Sequence, residues 1–480
     1  GFSNFKISIL WVDDDDPTCG GFSPCYPTIQ EAVAAAQPGD IIKIRPGIYQ
    51  GPITINKNLT LSGESQESVT IKGTEDTREL AAIKIIGLAI VKIEKIALLD
   101  SLIGIIIEDS HIQLIITDSK IFNNFAGIMG NTEHLTVLGS EISNNSIVGI
   151  NIGINMKGSA RIEGNQFLNN GTAIIVGGQG SAAINKNQIA GNKEGVKILD
   201  ATKVTLSANR LQKNSGGIMV YKSAQAQLQE NQIMDNDFYG VAVGDFARVS
   251  LVRNRISNNG WAGELSFLPS FFYIDPFRNT PFGVITPKGF GVIIGGRASV
   301  ELVENHIERN VCGLGATPAL APDNQLRTPS LTVERNLFRD NVWGVWLRKA
   351  EASLSHNEIL ENGLEDPPPQ ITSSPFWVLF EFPTSGVLVQ GGQPLLQSNH
   401  LLKNYEGIVL QNHASPTLIG NEIRESIRYG IALYQGPCYE KLILELQFEG
   451  KIQGEANELV NNKKGDLCPA DYPWPPGFRK

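Results

Sequence analysis

Residues 187–198 read NQIAGNKEGVKI, residues 209–220 read NRLQKNSGGIMV and residues 231–243 read NQIMDNDFYGVAV. Each time the chain writes an asparagine, a branched apolar residue two places on, a second asparagine, a short turn, then glycine and Ile or Val. Working outward, the pattern recurs as NQFLNN at 165, NRISNN at 254, NHIERN at 305, NLFRDN at 336 and NEILEN at 357. NHLLKN at 399, NEIRES at 421 and NELVNN at 457 continue it, and Ser119 and Ser140 open two earlier, imperfect copies. The unit is about 22 residues, a period that marks a repeat architecture.

A leucine-rich repeat of this period needs a Leu-x-x-Leu-x-Leu lattice, which is missing. Runs such as VTLSAN and GVKIL alternate at period two between Asn/Gly turns, so each unit reads as short strands without a helical period. Stacked coils place equivalent positions about 4.8 Å apart. The asparagines then fall inside the turns, where each amide can bond its copies above and below and offset the cost of burial. The reading is an all-β fold: a single-stranded, right-handed parallel β-helix. Asn124, Asn145, Asn170, Asn192, Asn214, Asn236, Asn259, Asn310, Asn341 and Asn404 are expected to point inward at one turn. The repeat glycine marks either a positive φ or a close backbone approach.

Residues 40–120 continue the coils less regularly (DIIKIRPG, SVTIKG, LIGIIIEDS). Before them, PTIQEAVAAAQPGD predicts a capping helix with Thr28 as N-cap, Glu31 closing a capping box, a stop at Gly39, and Ile29, Ala32, Val33 and Ala36 buried. Residues 1–40 are read as an N-terminal strand, a Cys loop and this cap. Residues 41–467 are read as the β-helix, with insertions near 260–290, 311–330, 363–385 and 434–450, and 468–480 as a tail. In GFSNFKISIL, Phe5, Ile7 and Ile9 alternate with polar residues, which predicts a strand with those three on its buried face.

Glycine (49) and asparagine (38) are abundant among 480 residues, as a turn-rich repeat requires. No apolar run approaches the ~18–20 residues of a membrane span, and a net charge of −9 offers no footprint for nucleic acid. Neither nucleic acid nor membrane insertion is therefore expected. The cysteines lack CxxC spacing. Cys19 pairing with Cys25 and Cys438 with Cys468, with Cys312 free, implies an oxidising compartment. A chain starting at Gly1 fits a mature secreted or cell-surface product with its signal peptide removed.

The stretch TIQEAVAAAQPGDIIKIRPGIYQGPITINKNLTLSGE, followed by the Asn/Gly coils, resembles the pectin-lyase-like right-handed β-helix superfamily. That includes the carbohydrate-binding and sugar-hydrolase (CASH) class and NosD-type periplasmic proteins. The resemblance implies the fold; for activity it implies polysaccharide lyases, hydrolases, epimerases or plain scaffolds alike. The motifs of the enzymes are largely missing. The GIYQG turn lacks the acid of pectinesterases, NTD, GHG and RIK do not occur, and Tyr273-Ile274-Asp275-Pro276-Phe277 has Phe277 where alginate epimerases carry histidine. Four Met and six His are few for a copper role.

In a solenoid, register replaces sequence distance. The outward stripe after each repeat glycine is apolar: Met129, Ile175, Met219, Ile293, Leu388 and Val409 lie on it. With Phe5, Ile7 and Ile9 these residues predict an assembly surface for further copies or cell-surface components, unless the insertions cover it. Aromatic insertions carry Trp261, Phe271, Phe272 and Tyr273, then Phe376 and Trp377, with Trp343 and Trp346 on a coil between. They suit polysaccharide stacking, a protein interface or a local core. Asp200, Lys222 and Asp245, with Tyr221 beside them, share a register. The lysine between the acids would keep both ionised, so a structural ladder is expected rather than a glycosidase pair. Asp13, Asp14, Asp15 and Asp16 could supply oxygen ligands to a structural calcium; no other cofactor is expected. The leading expectation is a non-catalytic structural or assembly protein that self-associates into filaments or a surface layer. The alternatives are a carbohydrate-active enzyme or a polysaccharide-binding protein.

Overall fold

The computed structural model describes residues 7–73, 80–260, 289–320, 325–365 and 383–478. They form two compact units, 1–210 and 211–480. In both, a regular coil carries three strands, seen in unit 1 as Thr172–Gly178, Ser181–Asn185 and Gln188–Ala190. Each strand pairs in parallel with its equivalent one coil away. In unit 1 Met129, Asn151, Ile175 and Lys197 stack. In unit 2 Met219, Ala242, Ile293, Gly315, Trp346, Leu388, Val409 and Ala432 stack. The expected parallel β-helix and its register are both present.

Asparagine holds the turns. All ten predicted side chains are at most 2% exposed. Asn310, for example, receives the N–H and the amide of Asn259 at 3.0 Å each. It donates to Asn341 at 3.2 Å and to the carbonyls of Ile256 and Glu308. The first asparagine of each motif builds a second ladder of the same kind, Asn231–Asn254–Asn305–Asn336–Asn357–Asn399–Asn421–Asn457 in unit 2. Immediately before a ladder asparagine the backbone is left-handed, as at Arg253, Glu304, Arg309 and Asp340. Non-glycine residues rarely adopt this conformation; here it turns the next side chain inward, where two ladders of hydrogen bonds offset the strain.

The repeat glycine answers to close approach, not to positive φ. A Cβ on Gly291 would lie 2.7 Å from the Gly313 carbonyl oxygen, and one on Gly313 2.5 Å from that of Gly344. Glycine stacks on glycine because coil backbones meet there.

At the N-terminal end, Ile29–Ala35 is helical, with Thr28 Oγ accepting the Glu31 N–H. Ile29, Ala32, Val33 and Ala36 are buried as expected. The helix stops at Ala35, short of Gly39, where Lys57 Nζ donates to the Val33 and Ala36 carbonyls and so satisfies its C-terminal end. The strand before it, Ile9–Val12, pairs in parallel with Ile41–Ile44 of its own chain. Its buried face is Leu10 and Val12, while Ile9 is 46% and Ile7 62% exposed. This inverts the expected phase: register with Ile42 and Ile44 sets which side faces the core, and apolar alternation was equally strong on the wrong one. Phe5 lies outside the described residues.

One insertion is also misplaced in the sequence reading. Cys312–Ala316 is an ordinary coil strand between Phe290–Ile294 and Trp343–Arg348. The excursion starts after it and carries an antiparallel pair, Ala319–Leu320 with Leu326–Arg327. After Leu433 the chain leaves the coils, makes a single 3-10 turn at Leu444–Leu446, and returns at Gln453. The tail folds back on its own unit: Trp474 is 7% and Phe478 3% exposed, and the Trp474 indole donates to the Pro469 carbonyl.

Candidate functional site

The bonds Cys19–Cys25 and Cys438–Cys468 form as expected, and Cys312 is free. Its thiol is buried, which pushes its pKa well up and leaves it inert.

Asp200, Lys222 and Asp245 occupy turns with left-handed backbones. In unit 1 Asp200 accepts the Gly178 N–H at 3.1 Å, and in unit 2 Asp245 accepts the Lys222 N–H at 3.1 Å. Both acids thus bind backbone. Tyr221 packs half-buried against the apolar cluster of unit 2.

That cluster takes up the apolar stripe. Met219, Ile293, Leu388 and Val409 are at most 4% exposed, packed with Tyr434, Cys438 and Tyr439 of the last excursion among others. These four are interior residues, not a surface for another molecule: the chain's own aromatic side chains bury them. In unit 1 Met129 and Ile175 are half-buried against Ala81, Ile103, Ala126 and Val148. Trp343 and Trp346 are likewise committed within the chain. The Trp343 indole donates to the Pro383 carbonyl, and Trp346 donates to Gln390 Oε1 at 2.8 Å and stacks on Phe290. Trp261, Phe271, Phe272, Tyr273, Phe376 and Trp377 lie outside the described residues.

Asp13, Asp14 and Asp15 bring carboxylate oxygens within 4.8 Å of one another. Asp13 Oδ1 accepts the N–H groups of Asp15 and Asp16, Asp14 accepts that of Ile48, and Asp16 accepts those of Thr18 and Gly20. Proximity to Asp13 raises the Asp15 pKa, whereas the bonds from Thr18 and Gly20 lower that of Asp16. The cluster folds the loop with its own backbone donors.

The site that sequence reasoning missed centres on Glu406. Asn404 turns the chain inward, Glu406 precedes the repeat glycine Gly407, and the carboxylate is 0% exposed. Arg428 Nη1, on the next coil, lies 2.8 Å from its Oε1, and Tyr439, from the last excursion, donates its hydroxyl to Oε2. Arg428 also donates to the Cys438 carbonyl at 2.8 Å and lies over the Tyr439 ring, 5.1 Å from its centroid. Burial pushes the Glu406 pKa up to about 7, against the opposing pull of the Tyr439 hydrogen bond and of Arg428 and Lys464. The Tyr439 hydroxyl, buried beside that acid, is held well above its ordinary range.

Above this triad is a pocket of about 540 Å³. Its lining includes Arg428, Lys441 and Lys464, the rings of Tyr429, Tyr434 and Tyr439, and a single acid, Glu440. Glu406 does not line it. The signal in the sequence was slight. The residue before the repeat glycine is Tyr239, Phe290, Cys312, Trp343 and Ser385 in preceding copies of unit 2, and an acid there breaks the pattern.

Among family models, one described as a right-handed beta helix region matches residues 152–317, and one described as periplasmic copper-binding protein (NosD) matches 41–204. No curated protein matches the chain. Similar solved structures include the mannuronan C-5 epimerase AlgE6 A-module of Azotobacter vinelandii, 14% identical over 71% of this chain and 90% of that one, with a TM-score of 0.44. Pectate lyase Pel9A is 14% identical over 75% and 81%, with a TM-score of 0.29. A double mutant of the periplasmic alginate epimerase AlgG is 11% identical over 89% and 77%, with a TM-score of 0.30. The matched segment offers copper two histidines, two methionines (Met129 and Met156) and no cysteine. Its two histidines, His111 and His134, bond Asp109 and Ser159. Among the described residues the one convergent group of three His, Cys, Asp or Glu is the aspartate trio outside that segment, all hard oxygen. The periplasmic description and the two disulfides point to an extracellular or periplasmic protein. Among the described residues no helix is long and apolar enough to cross a membrane.

Proposed function

Because the chain folds as a parallel β-helix and matches the right-handed beta helix model over residues 152–317, we propose that it is a non-catalytic protein outside the cytoplasm that binds an acidic polysaccharide over Glu406. The observation that carries this reading is the lining of the pocket: three cations and three tyrosines against one acid. Guanidinium and ammonium groups recognise carboxylates, and a tyrosine presents a flat apolar face with a polar edge, as a sugar ring requires. The volume is in the range of small-ligand sites. Burial of Glu406 argues for binding over catalysis. A general acid must reach the proton it transfers, and Glu406 is sealed beneath the side chains it holds. The assembly reading is less well supported, since Met219, Ile293, Leu388 and Val409 are interior and, of the assembly candidates among the described residues, Ile7 and Ile9 are the two that are well exposed.

Calorimetric titration with hexagalacturonate and with neutral maltohexaose tests this. The acidic oligomer is expected to bind and the neutral one not, and Arg428→Ala is expected to weaken binding at least tenfold, the ~1.5–3 kcal/mol of a charge-assisted bond. Equal binding of both sugars, or of wild type and variant, would overturn the reading.

A further inference from the structure

Resting on that reading of the pocket, we propose that Glu406 is a proton-operated gate on the anion site, releasing Arg428 to the ligand when it is protonated and withholding it when ionised. The geometry makes the competition direct. Arg428 reaches inward to Glu406 Oε1 at 2.8 Å and also lines the pocket, so one guanidinium serves two possible anions. It is 18% exposed, whereas Glu406 is fully enclosed, so the internal partner cannot swing out to solvent.

The groups facing Glu406 come from three directions. Arg428 stands on the coil that follows, Tyr439 on the excursion, and Lys464 on the next turn. Ser385 precedes the glycine of the coil before and brings no charge. Of the cations, Arg428 is the one that both pairs with Glu406 and lines the pocket; Lys464 and Lys441, which also line it, are solvated. Tyr439 holds its proton throughout the neutral range. Near neutrality, then, the group that changes charge is the buried carboxyl, whose pKa of about 7 reflects its burial.

When Glu406 is ionised, Arg428 is neutralised internally and a ligand carboxylate must compete for it. When Glu406 takes up a proton, the guanidinium is left with an uncompensated charge and the incoming carboxylate satisfies it. Binding and protonation therefore favour each other, and linkage makes the effect reciprocal: a ligand that raises the Glu406 pKa by about one unit binds about tenfold more tightly below it.

The test is titration calorimetry of hexagalacturonate, whose own carboxylates stay ionised throughout, at pH 5.5 and 8.5. Wild type is expected to bind about tenfold more tightly at pH 5.5, and Glu406→Gln to bind with the tighter affinity at both. A second measurement needs no variant: at pH 7, in buffers of different ionisation enthalpy, wild type is expected to take up a fraction of a proton on binding. Equal wild-type affinity at both pH values without proton uptake would overturn the gate and leave the site standing. Absence of binding at either pH would overturn the site, and the gate with it.

Discussion

A carboxyl enclosed as Glu406 is keeps its proton far above the ordinary range, and folding must accommodate this. In the unfolded chain it ionises near 4.5, in the folded chain near 7. Between those values the folded state holds a proton that the unfolded state has lost, so stability falls as pH rises from about 4.5 to about 7 and levels off above. The contribution is on the order of 3 kcal/mol in all. Glu406→Gln carries no such proton. Its melting temperature, followed calorimetrically from pH 5 to pH 8, is expected to change less with pH than that of wild type. Parallel curves would show that another group governs the slope.

At the level of the turn, polar ladders replace apolar packing. Asn310→Ala would strip Asn259 of the acceptor for its buried N–H and amide, and leave the Ile256 carbonyl without its donor. Orphaned buried groups cost about 1–3 kcal/mol each, so a loss of roughly 3 kcal/mol or more is expected. Arg255 pairs with Glu308 at 2.7 Å, but more than half of the arginine is exposed. Arg255→Ala is expected to cost under about 1 kcal/mol. Urea midpoints at unchanged slope give both values, and a ladder variant as mild as the surface one would contradict this account. The ladders were legible because they repeat: asparagine at fixed spacing has few other physical uses. The site was not, because Tyr439 and Arg428 reach Glu406 across 33 and 22 residues, the former from an excursion that interrupts the repeat.

For unit 2 as a whole, the last excursion and the tail act together. Cys438–Cys468 ties the segment that carries Tyr439 to the strand Gly465–Cys468, which pairs with the coil of Tyr429. Closing a loop of this length is worth about 3–4 kcal/mol. A Cys438→Ser, Cys468→Ser double variant is expected to lose about that much and to bind the acidic sugar more weakly, because the wall bearing Tyr439 loses its tether. Thermal melting together with calorimetry reads both effects, and unaltered binding in the less stable variant would separate the bond from the pocket. With the tail docked on its own chain and Ile9–Val12 paired to Ile41–Ile44, the two ends as described are occupied internally.

The solenoid, its register and the inward asparagines were set by local spacing repeated many times, so an error in one copy is corrected by the next. The capping helix and both disulfides were legible without repetition, the helix from its N-cap and apolar stripe and the bonds from five cysteines of which two pairs lie near the ends. Only the tertiary structure decided which face of the first strand is buried, that the apolar stripe of unit 2 is interior, and that Glu406, Arg428 and Tyr439 meet. Those outcomes depend on single, unrepeated contacts between a regular coil and an irregular excursion. One-dimensional pattern carries no information about such contacts, and the low dielectric that gives Glu406 its chemistry exists only once they have formed.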